Sequence, residues 1–77
     1  MNQSEVARIR RQLEEEYEAM QRGMTGLAVG TARHKFIRAR MDRVEGYKQQ
    51  LKQFVSDAEA NEIVGATYVK VMRDESE

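Results

Sequence analysis

The residues with the most chemical potential in this 77-residue chain surround its one histidine. The stretch Gly26-Leu27-Ala28-Val29-Gly30-Thr31-Ala32-Arg33-His34-Lys35 sets glycines ahead of three consecutive basic side chains. If a helix begins just after Gly30, its free amides and its dipole favour an anion there, with Arg33, His34 and Lys35 as possible contacts. The pattern is not a P-loop, because no lysine follows the second glycine and no strand precedes the loop. The plainer expectation is a connection between helices whose basic residues pair with Glu18. A histidine such as His34 could shuttle protons, but no second histidine, cysteine or nearby acid builds a relay or a metal site with it.

A second cluster, Glu14-Glu15-Glu16 with Glu18, has the residue type for acid/base or metal chemistry. Consecutive residues of a helix point in different directions, so a solvated acidic face is the better expectation. The absence of cysteine excludes disulfides, thiolate zinc sites, iron–sulfur clusters and cysteine nucleophiles. No catalytic residue, cofactor or metal is therefore expected, and the chain reads as a non-enzymatic protein.

The elements that carry these residues follow from composition and spacing. Proline is absent, 34% of the residues are charged and 40% are hydrophobic, which is a helical composition rather than that of a disordered tail. Val6, Ile9, Leu13, Tyr17, Met20, Met24 and Leu27 recur with a mean step of about 3.5 residues, the seam of one helix face. Ser4 is a fitting N-cap and Gly23 a natural stop, which predicts a first helix over 4–22. The glycine-rich connection spans 23–31, and its Leu27, Ala28 and Val29 are expected to cover the end of the helical pair. Thr31 would cap a second helix over 32–55, whose seam is Ile37, Met41, Val44, Tyr47, Leu51 and Phe54, widened by Phe36 and Val55. Ser56-Asp57-Ala58-Glu59 has the form of a capping box and opens a third helix over 57–72. Its stripe is Ala60, Ile63, Val64, Thr67, Tyr68 and Val71, with Gly65 inside it and a frayed tail over 73–77. No glycine or proline marks the Ser56 boundary, so a continuous rod of about 40 residues, roughly 60 Å long, is the alternative to a break there. The fold class is all-α: an antiparallel helical hairpin plus a third, shorter amphipathic helix in one small domain.

Net charge is zero, but the charges are segregated. Residues 1–22 hold four arginines against five glutamates, a net of −1, and residues 32–52 hold seven basic against two acidic residues, a net of +5. Residues 53–77 hold two basic against six acidic residues, a net of −4. Folding helix two back on helix one so that facing numbers sum to roughly 54 sets Leu13 against Met41 and Tyr17 against Ile37. That register faces Glu14 to Glu18 towards Lys35, Arg38 and Arg40, and Arg8, Arg10 and Arg11 towards Asp42 and Glu45. An intermolecular antiparallel pairing would satisfy the same pattern. Arg40 falls inside the apolar stripe, where its stem can cover the seam while its head reaches Glu14 or solvent. The alternative is a buried polar residue that fixes oligomer geometry.

A chain of this size buries only about 60% of its unfolded surface and its core is marginal; the usual reinforcements of a small fold are a disulfide, a metal or a partner chain. The expected partner is a second copy of the chain, in a homodimer or larger helical bundle, with another protein also possible. Nucleic acid is a weaker expectation. The basic residues of 32–52 do not share one face, since Arg33, Arg40 and Lys48 lie near the seam and Lys35 and Arg38 on the far side. A membrane partner is not expected, for want of a long apolar run or of tryptophan anchors on a basic face. With no cysteine and a polar stretch after Met1, the expected location is cytoplasmic. The leading functional expectation is an oligomerising helical adaptor, and the second is a small nucleic-acid-associated regulator.

Overall fold

The computed structural model describes residues 2–26 and 30–75, with the side chains of 4–23 and 32–73. The expectation that Leu27, Ala28 and Val29 cover the end of the hairpin lies outside the described residues, as does the side chain of Met24. Three helices follow in order: α1 (Asn2–Gly26), α2 (Thr31–Leu51) and α3 (Asp57–Glu75). They pack against each other with α1 at the centre. It meets α2 along one flank and α3 along the other, while α2 and α3 touch little.

Helix α1 does not stop at Gly23 but runs on to Gly26. Gly23 serves close approach rather than termination: a Cβ built on it would overlap the ring of Phe36 in α2. The left-handed glycine of the connection is Gly30, at φ 97°, where an L side chain would be strained. Gly30 occupies the N-cap of α2 in place of the expected Thr31, and its carbonyl accepts the first helical bond from the His34 amide at 3.1 Å.

Helix α2 ends at Leu51, four residues earlier than the spacing implies. The chain there tightens into bonds that skip three residues: the Gln53 amide donates to the Gln50 carbonyl at 3.1 Å and the Phe54 amide to the Leu51 carbonyl at 2.9 Å. Phe54 and Val55 therefore reach the core from a turn, not from a helix. The break at Ser56 is real, so there is no continuous rod. The Ser56 hydroxyl accepts from the Glu59 amide at 3.1 Å, satisfying one orphan donor of the first turn of α3. Helix α3 then continues past Met72 to Glu75, with Gly65 exposed and nothing near it.

The core is a single cluster. Ile9, Leu13, Tyr17 and Met20 of α1 meet Val44 and Leu51 of α2 and Ala60 and Val71 of α3, each at most 6% exposed. Val6, Tyr47, Phe54, Ile63 and Val64 are partly buried against it. Ile37 is half-buried. Two residues of the expected seam lie outside: Met41 is 46% exposed and Tyr68 48% exposed. Met41 sits on a flank of α2 that nothing covers, because α3 packs on α1 and not across α2.

Candidate functional site

The hairpin interface between α1 and α2 holds the one deeply buried carboxylate among the described residues. Glu16 is 7% exposed. Its Oε1 accepts from Arg40 Nη1 at 2.9 Å, and its Oε2 lies 3.7 Å from Arg43 Nη1. Arg40 also lies over the Phe36 ring, 5.2 Å from its centre. The arginine inside the apolar stripe thus spans a ring and a buried acid. Its partner is Glu16 and not Glu14, so the facing numbers sum to 56 rather than 54. Arg8 corrects the same register argument: it pairs within α1, with Glu5 at 2.7 Å, and not with Asp42 or Glu45. A buried carboxylate held by a hydrogen-bonded guanidinium and a second one nearby ties the two helices together.

Glu14 belongs to the other flank of α1. It pairs with Lys70 of α3 at 2.9 Å, while Val6 and Ala7 share a groove with Phe54, Val55 and Glu59, so α1 and α3 run parallel. Two further contacts set that packing. The Tyr17 and Tyr68 rings meet edge to face with centres 5.3 Å apart at 81°. The Gln21 amide nitrogen donates to the Val71 carbonyl at 2.9 Å. Burial pushes the Tyr17 hydroxyl above its ordinary pKa of 10.0, and the neighbouring Tyr68 adds to the rise. Thr67, buried at 6% exposure, is satisfied by donating to its own helix at the Ile63 carbonyl, 2.7 Å away.

Between α1 and α3, towards the start of each helix, lies a groove of about 690 Å³. Its apolar floor includes Val6, Phe54, Val55 and Ile63. Its rim is charged, with Arg10 and Glu14 on the α1 side and Glu59, Glu62 and Lys70 on the α3 side. The floor has the character of a docking surface for an apolar side chain, and the rim that of an ion-pairing frame. The sequence stripe of α3 missed this groove because Phe54 and Val55 enter it from the turn. The capping box at Ser56 marks where α3 starts but not where α2 ends, so the sequence carried no signal for this turn.

The basic triplet after Gly30 is only partly brought together. Arg33 and His34 line a small open hollow of about 310 Å³ with Gly30 and Ile37, and Lys35 lies outside it. His34 is exposed. Among the described residues no group of His, Asp and Glu side chains could hold a metal ion, and no helix is long and apolar enough to cross a membrane. Compared with protein-family models, with curated proteins and with solved structures, the chain matches none.

Proposed function

We propose that this protein is a non-enzymatic interaction module that acts by self-association. The supporting observation is surface that a lone chain leaves uncovered. Its 5530 Å² of accessible area exceeds the about 4,800 Å² expected of a compact monomer of 8.9 kDa. Its radius of gyration, 13.2 Å, likewise exceeds the about 11.5 Å expected for 77 residues. Helices α2 and α3 touch little, and Val69, Tyr68 and Met41 stay about half exposed. The function then lies in presenting an assembled helical surface to a protein partner. Light scattering over a micromolar concentration series tests the reading. A mass of at least two chains is expected, and a monomer across the series would overturn it.

One observation favours a second reading, nucleic-acid association. Lys35 and Arg38 are exposed on the outer side of α2 and make no ion pair among the described residues, whereas Arg40 is consumed by Glu16. Binding to a labelled duplex that weakens steeply with salt and is lost on Lys35→Ala/Arg38→Ala would support this reading. Salt-independent or undetectable binding would remove it.

A further inference from the structure

The outer side of α2 carries charges that the chain itself leaves unanswered. Lys35, Arg38, Met41 and Asp42 are exposed. At about 100° per residue they share one arc of roughly 120°, turned away from Val44 and Leu51, which are buried in the core. Lys35, Arg38 and Asp42 make no ion pair or side-chain hydrogen bond among the described residues. Glu45, on the same side, is already engaged, by Lys48 at 3.9 Å and by Gln49 at 2.8 Å. Met41, one turn on from Arg38, is the large apolar side chain of the arc.

The groove between α1 and α3 is unanswered in the opposite sense. Two of its rim charges, Glu14 and Lys70, neutralise each other. Glu59 and Glu62 on the α3 side and Arg10 on the α1 side are exposed, and their charged groups make no ion pair or hydrogen bond among the described residues. The two glutamates are one turn apart, so the α3 wall sets a pair of free carboxylates beside the half-buried Phe54, Val55 and Ile63. From these complementary halves we infer that the occupant of the groove is the outer arc of α2 from a second copy, with Met41 on the apolar floor and Arg38 against Glu59 and Glu62. The inference rests on the self-association reading above and assigns its interface.

Methionine suits such a floor. Its unbranched side chain fills irregular gaps, and its sulfur packs well against the edge of a ring such as that of Phe54. Lys35, one turn before Arg38, extends the basic side of the arc along the acidic wall. Asp42 is then left for Arg10 on the opposite wall. Two free cations and one free anion of α2 thus meet two free anions and one free cation of the groove, which fixes the partner and its orientation. One chain cannot make this contact with itself. Helix α2 packs on α1 through its buried side, so its outer arc faces away from the groove on the other flank of α1. The contact joins two different surfaces and therefore repeats head to tail from copy to copy.

Blocking one half at a time tests the inference. Met41→Asp removes the apolar side chain and leaves the groove, whereas Ala66→Arg, at an exposed groove position, fills the groove and leaves Met41. Each alone should raise the dissociation constant of self-association at least tenfold by analytical ultracentrifugation. Mixed in equal amounts they should form a 1:1 pair that grows no further, because one intact Met41 meets one intact groove and both remaining halves are blocked. A mixture that stays monomeric, or variants that associate like the starting protein, would overturn this contact while leaving self-association standing. A monomeric starting protein would overturn both. Charge exchange is a second measurement, at positions with no partner inside the chain. Arg38→Glu and Glu62→Arg should each keep the thermal melt and each weaken association at low salt, and the two together in one chain should restore it. A double variant weaker than either single one would count against the pairing of Arg38 with the acidic wall.

Discussion

The two flanks of α1 solve the same packing problem in opposite ways. Against α2, Gly23 removes a side chain so that the Phe36 ring can lie on the helix, and the buried Glu16 gathers two arginines at the seam. Against α3, α1 meets core residues, one tyrosine pair, the Gln21–Val71 hydrogen bond and a partly exposed ion pair, and a groove lies between the two helices. The first flank is closed by matched shapes and charges within the chain. The second is closed only along part of its length. The difference separates a flank closed by the chain's own residues from one that keeps an open groove.

The strongest way to break this contrast is in the hairpin core. Val44 is 3% exposed against α1, so Val44→Asp buries a charge with no partner and should cost several kcal/mol. Loss of a cooperative thermal transition by circular dichroism is the expected result, and a melt close to the starting protein would show that α2 packs elsewhere.

Gly23→Leu comes next. The added side chain has to displace the Phe36 ring, at a cost of about 1–3 kcal/mol by denaturant titration. Phe36→Ala made together with it should recover part of that loss. Additive effects would show that the two positions do not meet.

Two double-mutant cycles then compare the flanks directly. Glu16 and Arg40 have side chains 9% and 27% exposed, against 32% and 63% for Glu14 and Lys70. The first pair should show a coupling of about 1 kcal/mol or more that persists in high salt, and the second about 0.2–1 kcal/mol that salt screens away. Equal couplings with equal salt dependence would erase the distinction drawn here.

The smallest effect is a pH dependence at the tyrosine pair. The folded chain holds the Tyr17 proton above pH 10.0, where the unfolded chain releases it. Its contribution is therefore intact below about pH 10 and is lost as pH rises from there through the higher folded-state value. Stability measured from pH 9 to pH 11 should fall less in Tyr17→Phe than in the starting protein. Parallel curves for the two proteins would mean that Tyr17 ionises as easily folded as unfolded.

Much of the architecture was legible because spacing and capping are local. The three stripes and the Ser56 cap each depend on a handful of neighbouring residues. What escaped depends on how many partners a helix has. The seam of α1 was matched to α2 alone, so Glu14 was assigned to Arg40. With α3 on the other flank, Glu14 turns to Lys70 and Glu16, one-half turn on, takes the arginine. Gly23 was misread because a glycine chosen for its backbone and one chosen for its missing side chain look alike in a sequence. Gly30, seven residues later, is the one with the left-handed backbone. The end of α2 escaped for a third reason: a chain can leave a helix through tightened hydrogen bonds without any breaking residue. The groove depends on that exit, and so it was hidden with it.

The parallel course of α1 and α3 has a consequence for how the chain comes together. Gln21 and Val71 are 50 residues apart and Glu14 and Lys70 are 56 apart, while Glu16 meets Arg40 across 24. Closing a longer loop costs more chain entropy before any contact repays it. The α1–α2 hairpin is thus the unit expected to assemble first and α3 the last to dock and the first to leave. Amide hydrogens of α3 should accordingly exchange through a lower-energy opening than those of α1, which both neighbours shield. A helix on so short a tether, closed over the longer loops, is the element of this chain whose order is lost first.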